Sequence, residues 1–133
     1  MSKAKMFTDG GSRGNPGPAA VGGVIYNTKD EKLKEFSQSI GNSTNNIAEY
    51  TALITGLRLC KDMGFKQVDC YLDSELVVKQ LNKLYKVKDE KMKILFEVVE
   101  ELSEQFEKVC FIHVLRTKNK LADLLVNKAL DSL

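Results

Sequence analysis

The chain has 133 residues, of which 43% are apolar and 29% are charged, so it can bury the core of one globular domain. These proportions are ordinary for a soluble globular protein, and the formal net charge of +2 is too small to predict a nucleic-acid partner by itself. The N-terminal text MSKAKMFTDG has no apolar run long enough for a signal peptide or a membrane span. We therefore expect a cytoplasmic protein that does not associate with membranes.

Patterns of apolar and turn residues predict nine elements in the order strand, strand, strand, helix, strand, helix, helix, strand, helix. The predicted strands are Lys5–Asp9, Ala20–Tyr26, a segment containing Leu33, Phe36 and Ile40, Gln67–Leu72 and Val109–Leu115. The predicted helices are Asn46–Met63, Ser74–Leu84, a segment from Met92 to Phe106, and Leu121–Leu133. Short hairpins make the first three strands antiparallel, whereas alternation with helices makes the later strands parallel. The fold class is thus α/β, a mixed five-stranded sheet flanked by helices, with a three-strand antiparallel meander at one edge and two parallel strands.

Three widely spaced cysteines, Cys60, Cys70 and Cys110, lie among apolar neighbours. We interpret them as buried free thiols rather than metal ligands or disulfides, because their number is odd and their spacing matches no metal motif. Free thiols are typical of a reducing compartment.

Four carboxylates occupy similar places in these elements. Asp9 is predicted at the end of the first strand, Glu49 in the first turn of the first long helix, Asp73 at the end of a strand, and Asp123 in the first turn of the last helix. Each has a purely structural interpretation: a turn residue for Asp9, a capping box with Asn46 for Glu49, a helix cap for Asp73, and a favourable helix-dipole contact for Asp123.

Taken together, the four carboxylates indicate a metal site. Strand ends and helix starts of an α/β sheet gather at one edge, where ligands bind. Converging carboxylates repel each other unless hard cations neutralise them, and Mg²⁺ prefers oxygen ligands. Two such ions about 4 Å apart stabilise the entering and leaving oxygens of a phosphoryl displacement.

Four segments in the same order resemble the type 1 ribonuclease H family, and the resemblance covers nearly the whole chain. They are TDGGSRGNPGPAAVG, NSTNNIAEYTAL, YLDSELVV and IHVLRTKNKLADLLVNKAL. The resemblance implies the ribonuclease H-like fold, with residues 1–133 as a single type 1 catalytic domain. It also implies an endoribonuclease that hydrolyses the RNA strand of RNA–DNA hybrids by two-metal-ion catalysis, leaving 5′-phosphate and 3′-hydroxyl ends.

The family's catalytic carboxylates fall on Asp9, Glu49, Asp73 and Asp123. By resemblance, Asp9 bridges two Mg²⁺ ions, Asp73 and Asp123 hold the ion that positions the attacking water, and Glu49 helps to hold the ion near the leaving 3′ oxygen. Mn²⁺ is an alternative ion. His113, the only histidine, stands ten residues before Asp123, which is the spacing of the family's catalytic histidine. The resemblance implies that it shuttles a proton or helps product release.

The glycine-rich segment after Asp9 is the part that the resemblance places against the RNA strand, where it senses 2′-hydroxyls. Glycine suits this role because its backbone amide approaches a ligand where a Cβ would collide. The substrate-binding residues implied by the family are Gly11, Ser12, Asn15, Thr44, Asn45 and Asn46. The last three have the alternative interpretation of capping the following helix.

The chain departs from the family pattern at Leu115, where many relatives have proline, and at Ile47, where some have a basic residue. It also lacks the basic helix-and-loop protrusion of some members, which makes it a short form. Lysines near the missing protrusion form either a substitute phosphate-binding patch or, as we favour, an ordinary solvated surface: Lys79, Lys83, Lys86, Lys88, Lys91 and Lys93. Whether the Lys83–Lys88 region replaces the protrusion is open.

Other functions are compatible with parts of the sequence. One alternative is a non-catalytic nucleic-acid-binding module of the same fold, and another is a different nuclease of that fold, such as a junction resolvase. A two-carboxylate glycoside hydrolase is disfavoured because the chain has no tryptophan to stack on sugar rings. The expected partner is an RNA–DNA hybrid duplex, and the expected state is a monomer. The preference for Mg²⁺ or Mn²⁺ and activity on double-stranded RNA or single ribonucleotides in DNA are open.

Overall fold

The computed structural model describes residues 2–133. It contains the predicted nine elements in the predicted order, with a short 3₁₀ turn at Arg116–Lys118. The strands are β1 (Lys3–Ser12), β2 (Gly17–Tyr26), β3 (Lys32–Ser43), β4 (Gln67–Leu72) and β5 (Lys108–His113). The helices are α1 (Asn45–Asp62), α2 (Glu75–Leu81), α3 (Glu90–Ser103) and α4 (Lys120–Asp131).

The strands form one five-stranded sheet in the order β3-β2-β1-β4-β5. The pairs β1–β2 and β2–β3 are antiparallel, whereas β1–β4 and β4–β5 are parallel. The predicted mixed sheet, with its meander at one edge, is therefore confirmed. The parallel pair β1–β4 places the end of β4, which Asp73 follows, beside the part of β1 that leads to Asp9.

Helices cover both faces of the sheet. Successive residues of a strand point to opposite faces, and in β1 the Cβ position of Gly10 faces the α1 backbone while that of Gly11 faces Val126 of α4. The larger core lies between the sheet and α1, α2 and α3, and contains Tyr50, Leu53 and Leu57. A smaller cluster joins α4 to β2.

The first strand is longer than predicted. It continues past Asp9 to Ser12, because the antiparallel ladder with β2 runs on to the pair Ser12–Ala19. The first two glycines of the glycine-rich segment are thus strand residues, and the irregular part of this segment is confined to residues 13–16. Pairing with β2 also explains why the apolar residues of β3 do not alternate regularly. The β2–β3 ladder contains two register shifts, and each changes the face to which the following β3 residues point.

The helix ends differ from the predictions in ways that local geometry explains. Helix α1 begins at Asn45, because the Thr44 hydroxyl accepts a hydrogen bond from the Ile47 N–H at 3.3 Å. Helix α2 ends at Leu81 rather than Leu84, because Lys83 adopts a left-handed conformation with φ 64°. Residues 82–89 join α2 directly to α3 and leave no room for an inserted protrusion.

The second half of the chain also differs in its element bounds. Helix α3 ends at Ser103, and Phe106 enters the core from the following turn. Strand β5 runs from Lys108 to His113, one residue earlier at its start and two at its end than predicted. Helix α4 begins at Lys120 and ends at Asp131 instead of Leu133.

The thiols of Cys60 and Cys70 are buried, as predicted, and that of Cys110 is only partly buried. All three are free. Among residues 2–133, no helix combines the length and apolarity needed to cross a membrane.

Candidate active site

Four carboxylates reach the same edge of the sheet from four elements. Asp9 lies within β1, Asp73 directly follows β4, and Asp123 lies in the first turn of α4, as predicted. The predictions that Asp9 ends its strand and that Glu49 lies in the first turn of α1 are wrong. Glu49 lies in the second turn, because the helix begins at Asn45 and its first turn contains no acidic residue.

The structure contradicts two of the structural interpretations of these acids, the capping box for Glu49 and the helix cap for Asp73. Thr44, not Asn46, caps α1, so Glu49 does not stand at capping-box spacing. Ser74 caps α2 by accepting a hydrogen bond from the Val77 N–H at 3.3 Å, so Asp73 does not cap that helix. Neither acid is explained by the helix end near it.

Two glycines let helices approach Asp9 from both faces of the sheet. A Cβ on Gly10 would lie 2.1 Å from the carbonyl oxygen of Ala48, next to Glu49 in α1. Gly22 pairs with Asp9 across the β1–β2 ladder, and a Cβ there would lie 2.6 Å from the carbonyl oxygen of Ala122. Because both Cβ atoms are absent, α1 brings Glu49 and α4 brings Asp123 towards Asp9.

Three of the four carboxylates converge closely. Asp9, Glu49 and Asp73 each offer an oxygen, and these oxygens lie within 4.8 Å of one another. Asp123 is outside this triplet but lines the same cleft, which has a volume of about 470 Å³. Most of the residues that line the cleft are polar or charged.

Glu49 carries the clearest sign that the cluster suits a cation. Its side chain is buried, with only 6% of the residue exposed, and its Oε1 accepts a hydrogen bond from the Gly10 N–H at 3.1 Å. Its Oε2 is buried without a hydrogen-bond partner in the described chain. An unpaired buried carboxylate oxygen is costly, and a hard cation supplies what it lacks. The all-oxygen donor set therefore fits a divalent ion such as Mg²⁺.

Burial and nearby negative charges raise the pKa values of Asp9 and Glu49, which favours their protonated forms. Burial raises the pKa of Asp9 to about 6, and the charges of Asp73 and Asp123 add to the shift. Burial, followed by the neighbouring Asp9, raises the pKa of Glu49 well above its ordinary range. Without a cation, the pair Asp9–Glu49 therefore retains a proton at pH values where isolated carboxyls have lost theirs.

The predicted substrate-binding residues lie together beside the acids. The Asn45 Oδ1 accepts hydrogen bonds from the Ser12 N–H at 2.9 Å and the Ser12 hydroxyl at 3.1 Å, and the Asn15 Oδ1 accepts one from the Asn45 N–H at 3.0 Å. These bonds join the segment after β1 to the start of α1. Gly11 and Asn46 line the cleft.

Thr44 and Gly11 differ in what the structure explains. Thr44 is a helix cap, whereas Asn45 and Asn46 lie inside α1, so the capping interpretation holds for the threonine alone. At Gly11 a Cβ would meet only ordinary contacts, the nearest at 3.7 Å. Internal packing does not require glycine there, in contrast to Gly10.

His113 ends β5 opposite Leu72, the residue before Asp73. It is exposed and does not contribute to the wall of the cleft as the chain stands. Its catalytic role stays a prediction.

Two residues of this region were missed by the sequence reasoning. Arg116 lines the cleft, and its guanidinium lies 3.9 Å from the Asp123 carboxylate. Asn119 is buried and donates hydrogen bonds to the Thr8 carbonyl and to the Asp73 carboxylate. The only sequence signal for Asn119 was its place before a helix, which suggests an ordinary cap.

Comparisons with known proteins agree with this geometry. The family described as Reverse transcriptase-like matches residues 7–129. The crystal structure of RNase H1 from the archaeon Halobacterium salinarum superposes with a TM-score of 0.97 at 39% identity, covering 99% of this chain and 100% of that one.

The chain belongs to the ribonuclease H1-like family.

A second ribonuclease H1-like structure, LC11-RNase H1 in complex with an RNA/DNA hybrid, is 42% identical, with 97% of each chain covered and a TM-score of 0.93. The Bifunctional protein Rv2228c of Mycobacterium tuberculosis is 41% identical over 98% of this chain. The chain spans 36% of the length of that protein and 65% of the Ribonuclease HI of Halobacterium salinarum, which is 42% identical. The family, the ribonuclease H fold and the short form without a protrusion agree with the predictions.

Proposed function

We propose that residues 1–133 form a single catalytic domain that hydrolyses the RNA strand of RNA–DNA hybrids and leaves 5′-phosphate and 3′-hydroxyl ends. The observation that carries this proposal is the convergence of Asp9, Glu49 and Asp73, with the Glu49 Oε2 buried and unpartnered. The hybrid-bound structure of a relative that is 42% identical supports the choice of substrate. The domain acts as a monomer.

The carboxylates would hold two Mg²⁺ ions, for which Mn²⁺ is the natural substitute. Their oxygens suit both ions, and the family depends on divalent metal. Bound ions would supply charge stabilisation at the phosphoryl group and lower the pKa of a water. Asp9, Glu49 and Asp73 are the nearest ligands, and Asp123 completes the set from α4.

The protein's own contribution is to fix these groups before substrate arrives. The Gly10 N–H binds the Glu49 Oε1, which restrains the carboxylate, while the Oε2 has no hydrogen-bond partner in the described chain. The bonds among Ser12, Asn15 and Asn45 order the adjacent cleft wall, where polar groups face a hybrid's minor groove. Preorganised polar groups need no rearrangement as charge develops, which is how such sites lower barriers.

The decisive experiment compares an RNA–DNA hybrid, double-stranded RNA and duplex DNA as substrates, in Mg²⁺ and in EDTA. We expect metal-dependent cutting of the RNA strand of the hybrid by the wild type. Asp9→Asn should slow it by about 10³-fold or more, since it removes a charge at the reacting centre.

Asp69→Asn is the matched control. Asp69 is also a β-sheet carboxylate, but it pairs with Lys3 at 2.8 Å, away from the cleft, so cutting should not change. Hybrid binding without a metal-dependent product would instead indicate a binding module. Equal cutting by wild type and Asp9→Asn would reject the proposed site.

A further inference from the structure

Asn119 is placed like a helix cap but does not act as one. It immediately precedes α4, yet its side chain makes no capping hydrogen bond. The residue is instead turned inward and is only 1% exposed. Among the polar side chains near the cleft, its burial calls for another explanation than helix termination.

The Asn119 amide joins the two central strands where their ladder stops. Parallel pairing of β1 with β4 ends at Phe7 and Tyr71. Beyond that point, the Asn119 Nδ2 donates to the Thr8 carbonyl of β1 at 2.9 Å and to the Asp73 Oδ2 after β4 at 3.1 Å. One side chain therefore bridges the segments that carry Asp9 and Asp73.

The same residue also connects to the fourth carboxylate. The Asn119 carbonyl accepts the Asp123 N–H at 3.2 Å, so it begins the turn of α4 that presents Asp123. Asn119 thus contacts the backbone or side chain of three segments that converge at the cleft. One residue therefore helps to fix the distances between these three segments.

This arrangement is unfavourable for stability alone. The Asn119 Oδ1 is buried without a partner in the described chain, and the amide forgoes the cap that an asparagine at this place usually makes. A residue that breaks a local rule in this way typically serves a site.

We propose that Asn119 is a positioning residue that holds the Asp73 carboxylate in the orientation required for binding a divalent cation. The inference rests on the proposed function insofar as the cleft is a metal site. The bond engages the Asp73 Oδ2 and so restrains a carboxylate that offers an oxygen within 4.8 Å of those of Asp9 and Glu49. Without it, the partly buried Asp73 side chain is free to rotate away from Asp9 and Glu49.

The test is calorimetric titration of the metal-free protein with Mn²⁺. Asn119→Ala and Asn119→Leu both remove the donor, and the leucine fills the space without needing a hydrogen bond. We expect each to raise the Kd for Mn²⁺ by about 10- to 100-fold, the usual effect of losing a group that orients a metal ligand. Thermal unfolding of each variant by circular dichroism shows that the titrated protein is folded.

Asn82→Ala is the matched control. The Asn82 amide also donates to a carbonyl, that of Phe111 at 3.1 Å, but it lies at the end of α2, away from the carboxylates. Its loss should leave the Kd unchanged. In an Asp73→Asn background, Asn119→Leu should cause no further loss, because the group through which it acts is already altered.

Unchanged Mn²⁺ affinity in both folded Asn119 variants would overturn the inference. So would an equal loss with and without the Asp73 substitution, which would show that Asn119 acts elsewhere. A wild type that binds Mn²⁺ in an Asn119-dependent way but cuts no hybrid would reject the proposed function and keep this inference. If the wild type cuts hybrids while both Asn119 variants bind Mn²⁺ normally, the proposed function stands and this inference is rejected.

Discussion

Asp9 and Glu49 share a buried corner of the cleft, and their burial has a consequence for stability. The folded pKa of Asp9 is about 6, against an ordinary value of 3.8, with burial as the main cause. Between these values the folded protein holds a proton that the unfolded chain has lost. Raising the pH through this window therefore lowers the free energy of unfolding of the metal-free protein.

We predict that Asp9→Asn stabilises the protein in EDTA at pH 8. The variant lacks the buried charge, whose cost is at most about 3 kcal/mol for the difference between the two pKa values. The melting temperature should rise by several degrees at pH 8 and by little at pH 4, as measured by calorimetry. A variant that melts below the wild type at pH 8 would show that the Asp9 charge is not destabilising.

His113 offers a second test at this scale, because it is exposed and sits beside the segment that carries Asp73. If it moves protons or assists product release, His113→Ala should slow turnover on a hybrid by roughly 10²-fold. The melting temperature should not change, since little packing is lost. Steady-state kinetics on folded protein provide the measurement, and unchanged turnover would remove His113 from the mechanism.

Single residues also show where sequence reasoning stops. The carboxylates were identifiable because each stands in a segment that resembles a known family, although Asp9 lies inside its strand and Glu49 in the second turn of its helix. Asn119 was not, because its partners Thr8 and Asp73 lie far away in the chain and no local pattern joins them. Its place just before α4 gives no sign that its side chain turns inward to these partners.

At the scale of the elements, helix packing requires glycine at one of two adjacent positions in β1 and not at the other. Gly10 allows α1 to rest directly on the strand, with a hypothetical Cβ 2.1 Å from the Ala48 carbonyl oxygen. Gly11 has room for a Cβ, whose nearest neighbour would be 3.7 Å away. The sequence Gly-Gly suggests a loop at both positions. The two glycines differ only in the folded chain, where Ala48 of α1 packs against Gly10 and not against Gly11.

We predict opposite effects of alanine at these two positions. Gly10→Ala should lower the free energy of unfolding by about 1–3 kcal/mol or more, because a backbone contact must move. Gly11→Ala should leave stability within about 0.5 kcal/mol but raise the KM for a hybrid several-fold, because under the proposed function a Cβ would stand where the backbone approaches RNA. Chemical denaturation and kinetics on both variants are the measurements. A normal KM for Gly11→Ala would remove that residue from the substrate contact.

The elements themselves were predictable where the apolar periodicity and the turn residues lie close together in the sequence, as in α1 and β4. Their ends depended on features with no sequence signal. Lys83 ends α2 in a left-handed conformation that glycine normally occupies, and β1 continues past Asp9 because β2 pairs with it. Tertiary pairing and unusual backbone geometry, rather than propensity, set these bounds.

At the scale of the whole molecule, the fold brings acidic side chains from four distant parts of the chain together at the cleft. Asp9, Glu49, Asp73 and Asp123 come from β1, α1, the end of β4 and α4. A cation bound among them would contact the folded state only, since the unfolded chain does not bring these acids together. Metal binding should therefore stabilise the entire domain.

We predict that Mg²⁺ at about 100 times its Kd raises the free energy of unfolding by about 2.7 kcal/mol at pH 8. Asp9→Asn should lose most of this gain, whereas Asp69→Asn should retain it. At pH 5 the gain should shrink for the wild type, because protons compete for a carboxyl whose folded pKa is about 6. Calorimetric melting with and without Mg²⁺ measures all three effects. An equal gain in wild type and Asp9→Asn would mean that the stabilising ion binds somewhere other than this cleft.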